Sequence, residues 1–84
     1  MFVVYVIKST RHKWYYVGST GNLKRRVKEH NAGRVKSTKF RLPYELIYTK
    51  KFKTVEEALE REKKVKQNRS LKERIINTAL SSNG

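Results

Sequence analysis

The stretch that most constrains this chain is its beginning. Residues 2 to 8 read FVVYVIK, a run of β-branched and aromatic types that is apolar without alternating. That pattern belongs to a strand covered on both faces, so it predicts a central strand with other elements above, below and beside it. The run from Phe2 to Ile7 is far short of the ~20 apolar residues a membrane span needs, and no small-residue cleavage site follows it. No membrane association and a cytoplasmic location are therefore expected. At 84 residues the chain has room for one domain, assigned to residues 1–80 with 81–84 as a frayed tail. A domain of this size buries only about 60% of the surface its unfolded chain exposes. There is no cysteine, and His12 and His30 are the only histidines, which excludes disulfides, thiolate metal sites and the familiar Cys/His zinc sites. Stability must come from packing.

Polar residues from Ser9 to Lys13 read as a turn, and Trp14 to Gly18 resumes strand character, so the first two strands form a hairpin. Strand geometry puts Trp14, Tyr16 and Gly18 on one face and Tyr15 and Val17 on the other. Asn22 is the best N-cap for a helix from Leu23 to about Ala32, which Gly33 ends in a left-handed conformation. Its inward stripe is Leu23, Val27 and His30, with Arg26 alongside. The segment from Arg34 to Leu42 lacks periodicity and is expected to be a mobile loop. Pro43 ends it, and Tyr44 to Phe52 reads as a third strand in which Leu46, Tyr48 and Lys50 alternate with Glu45, Ile47 and Thr49. Thr54 with Glu57 and Ser70 with Glu73 match the S/T-x-x-E capping box, placing helices over about 55–67 and 71–80.

Charge narrows the partner. Lys and Arg number 21 against 7 Asp and Glu, a net charge of +14 spread along the whole length. Such a surface binds polyanions, since each neutralised phosphate releases condensed counterion. Charge alone fits nonspecific association with nucleic acid as well as any defined activity.

Three groups of polar residues stand out. On the helix over 55–67, Val55, Ala58, Leu59 and Val65 trace an apolar stripe that Glu62 continues. A carboxylate there costs several kcal/mol unless it is paired with Arg or Lys or binds a metal, and both readings stay open. Arg26 and His30 are four apart, so both leave the first helix on one face, where Arg offers a bidentate fork and His a proton near neutral pH. Taken singly, Arg26 is one more solvated cation and His30 a residue favoured by a helix C-terminal dipole. Five tyrosines, Tyr5, Tyr15, Tyr16, Tyr44 and Tyr48, are many for so short a chain. A phenol ordinarily titrates near 10, so acting as a base requires a strong positive field, which this chain can supply, or a shared metal-bound water.

Val4-Tyr5-Val6, Tyr16-Val17-Gly18, the spacing from Gly18 to Arg26 and His30, and Glu62 within Ala58-Leu59-Glu60-Arg61-Glu62-Lys63 together resemble the GIY-YIG nuclease superfamily, and more narrowly its small stand-alone bacterial members. The likeness runs from Val3 to about Arg69. Each motif is weak alone, but their order and spacing make the combination specific. The first motif reads Val-Tyr-Val where the superfamily has Gly-Ile-Tyr. Both Asn68 and Asn77 are candidates for the family's late asparagine.

The resemblance implies an α+β fold, a three-stranded antiparallel sheet flanked by three helices, and hydrolysis of phosphodiesters in DNA, in preference to RNA, with one divalent cation, Mg²⁺ or Mn²⁺. Glu62 falls on the metal-ligating carboxylate and Arg26 on the catalytic arginine. Tyr5 and Tyr16 fall on the motif tyrosines, with Tyr5 as general base and Tyr16 in support. His30 matches an active-site histidine, and Gly18 lets the backbone turn closely under substrate. Arg25 is then a backbone contact. The basic segment with Arg34, Lys36, Lys39 and Arg41, and the segment with Lys50, Lys51 and Lys53, are expected to hold the flanking strand. Two alternatives are a noncatalytic nucleic-acid-binding module and a nuclease subunit that takes its specificity from a partner protein.

Overall fold

The computed structural model describes residues 1–81. Strands β1 (Phe2–Ser9), β2 (Tyr15–Thr20) and β3 (Tyr44–Phe52) form one antiparallel sheet in the order β2-β1-β3. Around it lie helices α1 (Leu23–Asn31), α2 (Val55–Gln67) and α3 (Arg69–Ser81), and a 3₁₀ turn at Lys39–Arg41. The expected architecture is thus present. Residues 82–84, most of the tail expected to fray, lie outside the described residues, and Ser81 itself still belongs to α3.

The non-alternating run earns its central place. Val3 to Ile7 are all buried, and successive side chains feed two different cores. Val4 and Val6 join Val17, Ala58, Val65 and Ile76 under α2 and α3, while Tyr5 and Ile7 join Tyr44, with Trp14, Tyr16, Leu23 and Leu42 packed around them. Trp14, just before β2, and the first β2 residues divide between these faces as their alternation predicts, Tyr15 and Val17 to the first, Trp14 and Tyr16 to the second. Among the described residues no helix is long and apolar enough to cross a membrane.

Four expectations need correction. Alternation in β3 breaks at a bulge: Ile7 pairs with Leu46 but Val6 with Tyr48, so Ile47 is the extra residue and both Ile47 and Tyr48 pack on the α2/α3 side. Leu59, read as part of the core stripe of α2, is 53% exposed because the core is closed there by Ala58 and Val65. Helix α3 begins before Ser70: Asn68, extended at the end of α2, accepts from the Leu71 amide at 3.0 Å and caps the helix, leaving Ser70 inside the first turn. The segment from Arg34 to Leu42 is tethered at Thr38 and Arg41, and just past its end at Pro43. Thr38 is fully buried, the Ser9 hydroxyl donates to the Arg41 carbonyl at 2.8 Å, and the Thr10 amide donates to the Pro43 carbonyl at 2.9 Å. Such contacts between distant residues leave no periodic trace in sequence.

The helix ends that position the site follow local rules. Asn22 accepts from the Arg25 amide and starts α1. At the other end Gly33 (φ +75°) closes a paired reverse bond set, its amide donating to His30 O and the Arg34 amide to Glu29 O. The Asn31 side chain then clips this end to β3, accepting from the Tyr44 amide at 2.7 Å and donating to its carbonyl at 3.2 Å. This clip fixes where His30 lies over the sheet.

Candidate active site

The site is built around the crossing of β1 and β2. Tyr5 and Gly18 face each other in the ladder, and a Cβ on Gly18 would lie 2.6 Å from the Tyr5 hydroxyl and 2.7 Å from its Cζ. Only glycine lets the Tyr5 ring lie across β2. The Tyr5 hydroxyl then meets His30 Nε2 at 2.8 Å, and His30 Nδ1 meets the Thr38 hydroxyl at 2.8 Å. Thr38 can donate its hydrogen to the Val35 carbonyl at 3.4 Å. With that hydrogen committed, Thr38 accepts from Nδ1–H, so Nε2 carries the lone pair that receives the Tyr5 hydroxyl.

Tyr16 stands beside this line, its ring centroid 5.0 Å from that of His30 and 6.4 Å from that of Tyr5. On its far side Trp14 lies near-parallel at 6.4 Å, and the Arg41 guanidinium covers Trp14 at 4.6 Å. Tyr16 and Tyr5 differ in access: Tyr5 is 1% exposed, Tyr16 only half-buried.

Glu62 comes from the opposite layer. Its helix packs on the other face of the sheet, but β2 is an edge strand, and Ser19, one residue past Gly18, points to that face and donates its hydroxyl to Glu62 Oε1. Lys66, one turn on, pairs with Glu62 Oε2 at 2.7 Å and sits 5.4 Å above the Tyr16 ring. The cluster therefore wraps around the β2 edge. Glu62 is at once near the apolar stripe and satisfied by a lysine, so of its two possible roles, ion pair and metal ligand, the ion pair is realised in this arrangement.

The electrostatics run against one expectation. Burial pushes the Tyr5 phenol up to about 12, with Tyr16 and Glu62 adding to the rise and Arg26 opposing it. The positive field expected to ease its ionisation is outweighed by desolvation. Burial, followed by the charge of Arg26, pushes His30 down to about 4, so it is neutral at pH 7. His30 also cannot meet a phosphate directly. It is 0% exposed with both ring nitrogens engaged, because it sits on the inward stripe of α1, whereas Arg26 at the stripe's margin keeps 37% of its side chain exposed.

Arg26 opens instead into a cleft of about 530 Å³ lined by Ser19, Thr20, Gly21, Asn22, Arg25 and Glu29. Glu29 pairs with Arg26 at 3.1 Å and with Arg25 at 3.6 Å. Thus Tyr5, Tyr16, Gly18, Arg26, His30 and Glu62 converge, with Arg25 beside them. Arg34, Lys36 and Lys39 are exposed on the α1–β3 segment and Arg41 is held against Trp14. Lys50, Lys51 and Lys53 are exposed on and just after β3, the opposite sheet edge, and do not join the cluster. Asn68 is used as a cap, while Asn77 lines an open pocket with Lys66 and Arg69.

Ser19, Thr38 and Lys66 were not singled out from sequence. The i, i+4 spacing of Glu62 and Lys66 was a usable signal for the last. Ser19 and Thr38 gave none, since each gains its role from a contact across the fold.

Among the described residues no three His, Asp or Glu side chains gather as a metal cluster. A lone, partly buried carboxylate beside an open cationic cleft suits Mg²⁺ or Mn²⁺, which keep several waters and take substrate phosphate oxygens as further ligands. Glu62 would be the protein's ligand, exchanging Lys66 for the ion.

Residues 1–74 match the sequence profile of the GIY-YIG catalytic domain. The chain is 41% identical over 75 residues to a UPF0213 protein of Natronomonas pharaonis, covering 87% of each chain. It is 43% identical over 78 residues to a UPF0213 protein of Halobacterium salinarum, covering 90% of this chain and 100% of that one. The solution NMR structure of the UPF0213 protein BH0048 from Bacillus halodurans superposes with a TM-score of 0.57 at 33% identity, over 93% of this chain and 85% of that one.

Proposed function

The chain belongs to the GIY-YIG catalytic-domain family, and from that premise we propose that it is a divalent-metal-dependent endonuclease that hydrolyses phosphodiester bonds in DNA, rather than RNA, by water attack. The observation that carries this reading is the convergence, around one sheet edge, of a carboxylate, an exposed arginine and two tyrosines drawn from four separate elements. A fold needing only a basic surface has no use for that assembly.

Glu62 would hold Mg²⁺ or Mn²⁺, which when bound polarises the phosphoryl oxygen and offsets developing charge. Arg26, at the mouth of the cleft, grips the scissile phosphate and stabilises its transition-state charge. Tyr5 cannot stand ready as a phenolate when its hydroxyl is pushed up to about 12. Because Tyr5 is 1% exposed, it can accept the proton of a water only where that water enters from the Arg26 side, and only as its own proton passes to His30 Nε2 along their 2.8 Å bond. A phosphate bound at Arg26 offsets one of the two causes that hold His30 down, and so makes it a better acceptor. Thr38 keeps the ring in the accepting tautomer, and Tyr16 walls the pocket beside it. Arg25 and the cations from Arg34 to Arg41 hold flanking backbone, which sets affinity and not sequence choice. A cytoplasmic location and a protein partner that adds specificity are compatible with this role.

One observation favours a second reading. The Glu62–Lys66 ion pair satisfies the carboxylate without any metal, as a noncatalytic binding module would allow. Cleavage of single-stranded, duplex and branched DNA, and of RNA, with Mg²⁺ or Mn²⁺ and an EDTA control separates the two. We expect metal-dependent cutting of DNA that Arg26→Ala abolishes and that Tyr5→Phe slows by at least ~10²-fold, the low end for general-base catalysis. Binding without cutting in every metal would favour the module. An unimpaired Tyr5→Phe would move the base to Tyr16.

A further inference from the structure

Phe40 is 77% exposed, on a segment tethered at Thr38 and Arg41. It occupies the middle of the 3₁₀ turn Lys39–Arg41. On one side the turn is anchored by buried Thr38, whose hydroxyl is 2.8 Å from His30. On the other, Arg41 is held through its carbonyl by Ser9 at 2.8 Å and through its guanidinium over Trp14 at 4.6 Å. Two residues of chain reach at most ~7 Å, so the Phe40 backbone lies within that distance of the Thr38 backbone, at the Thr38 end of the Thr38–His30–Tyr5 line.

The surroundings indicate what meets the ring. The Lys39 ammonium lies 5.0 Å from its centroid, Arg41 is the next residue, and Lys36 is exposed upstream. A protein partner seating Phe40 in an apolar pocket would have to strip water from those cations, whereas a polyanion satisfies them. An aromatic face set among phosphate-binding cations is the arrangement that stacks nucleobases, and stacking tolerates any sequence because every base has a π-face.

We propose that Phe40 stacks on a base that has left the duplex, so that this chain selects DNA whose bases are unpaired where it crosses the 3₁₀ turn Lys39–Arg41. The selectivity arises because unstacking costs least where pairing is already absent. The proposal rests on the nuclease reading for the cleavage step, but binding itself is measured without metal.

The test compares wild type, Phe40→Ala, Phe40→Leu and Phe40→Tyr in EDTA, each confirmed folded by circular dichroism. The probes are a labelled single strand carrying one 2-aminopurine and the matched, fully paired duplex. Phe40→Ala should weaken single-strand binding by roughly 5- to 100-fold, the range for losing one stacked base, and duplex binding by less than ~2-fold. Phe40→Tyr should restore binding and the 2-aminopurine signal, and Phe40→Leu should restore neither. Equal loss on both probes, no loss in Phe40→Ala, full rescue by Phe40→Leu, or no DNA binding by wild type would each overturn the proposal. A protein that cuts DNA but shows no Phe40-dependent preference refutes the stacking alone. One that shows the preference but never cuts refutes the nuclease reading alone.

Discussion

Acidification from pH 7.5 to pH 5 should destabilise this protein mainly through His30. The ring is buried, and its folded-state value of about 4 lies below the ordinary 6.5. Between those values the unfolded chain binds a proton that the folded chain refuses, so stability rises with pH. The contribution is complete above about 6.5, shrinks as pH falls, and is gone below about 4. The whole span is worth about 3 kcal/mol, and about 2 kcal/mol of it is already lost at pH 5, where most carboxylates remain ionised. For a domain of this size a loss of about 2 kcal/mol lowers Tm by roughly 8–16 °C. The assay is urea denaturation across this range in a His12→Gln background, where His30 is the sole imidazole, with its ring followed by NMR. A His30 midpoint near 6.5, or a stability change below ~0.5 kcal/mol between pH 7.5 and 5, would refute the burial and bonding assigned to this ring.

Two substitutions test the scaffold. Gly18→Ala places a methyl 2.6 Å from the Tyr5 hydroxyl, which is pinned to His30, and should cost about 1–3 kcal/mol in thermal melts as well as cleavage activity; an unchanged Tm would mean Tyr5 moves freely. Asn31→Ala removes both bonds that clip α1 to Tyr44 and should cost about 1–2 kcal/mol. Asn31→Asp, which keeps the acceptor of the shorter bond, should cost less, and equal losses in the two variants would contradict the clip.

Much of the fold was legible because it is written in local patterns. A non-alternating run made β1 central, period-2 faces divided β2 between two cores, and capping residues started α1 and α2. What escaped was non-local. The bulge at Ile47 depends on register against β1, and a cap for α3 at Asn68 competed with an equally regular signature two residues later. Thr38 is invisible because nothing in its neighbours announces a buried contact with His30. That Tyr5, Tyr16, Gly18, Arg26, His30 and Glu62 come together was legible through motif spacing, but the electrostatics they meet there were not. Burial sets the titration of Tyr5 and His30, and a list of charged residues cannot weigh burial against field. Nor could spacing tell that Glu62 reaches the other residues around an edge strand, with Ser19 and Lys66 as its partners.

The central claim is that Glu62 serves a metal-dependent hydrolysis and not merely an ion pair with Lys66. The most direct measurement is single-turnover cleavage of DNA in Mg²⁺ by wild type and Glu62→Ala, with DNA binding recorded for both. The account predicts that Glu62→Ala binds DNA at least as tightly, since a negative charge has gone from a cationic face, yet cuts no faster than the EDTA control. Equal cleavage by the two proteins would contradict it.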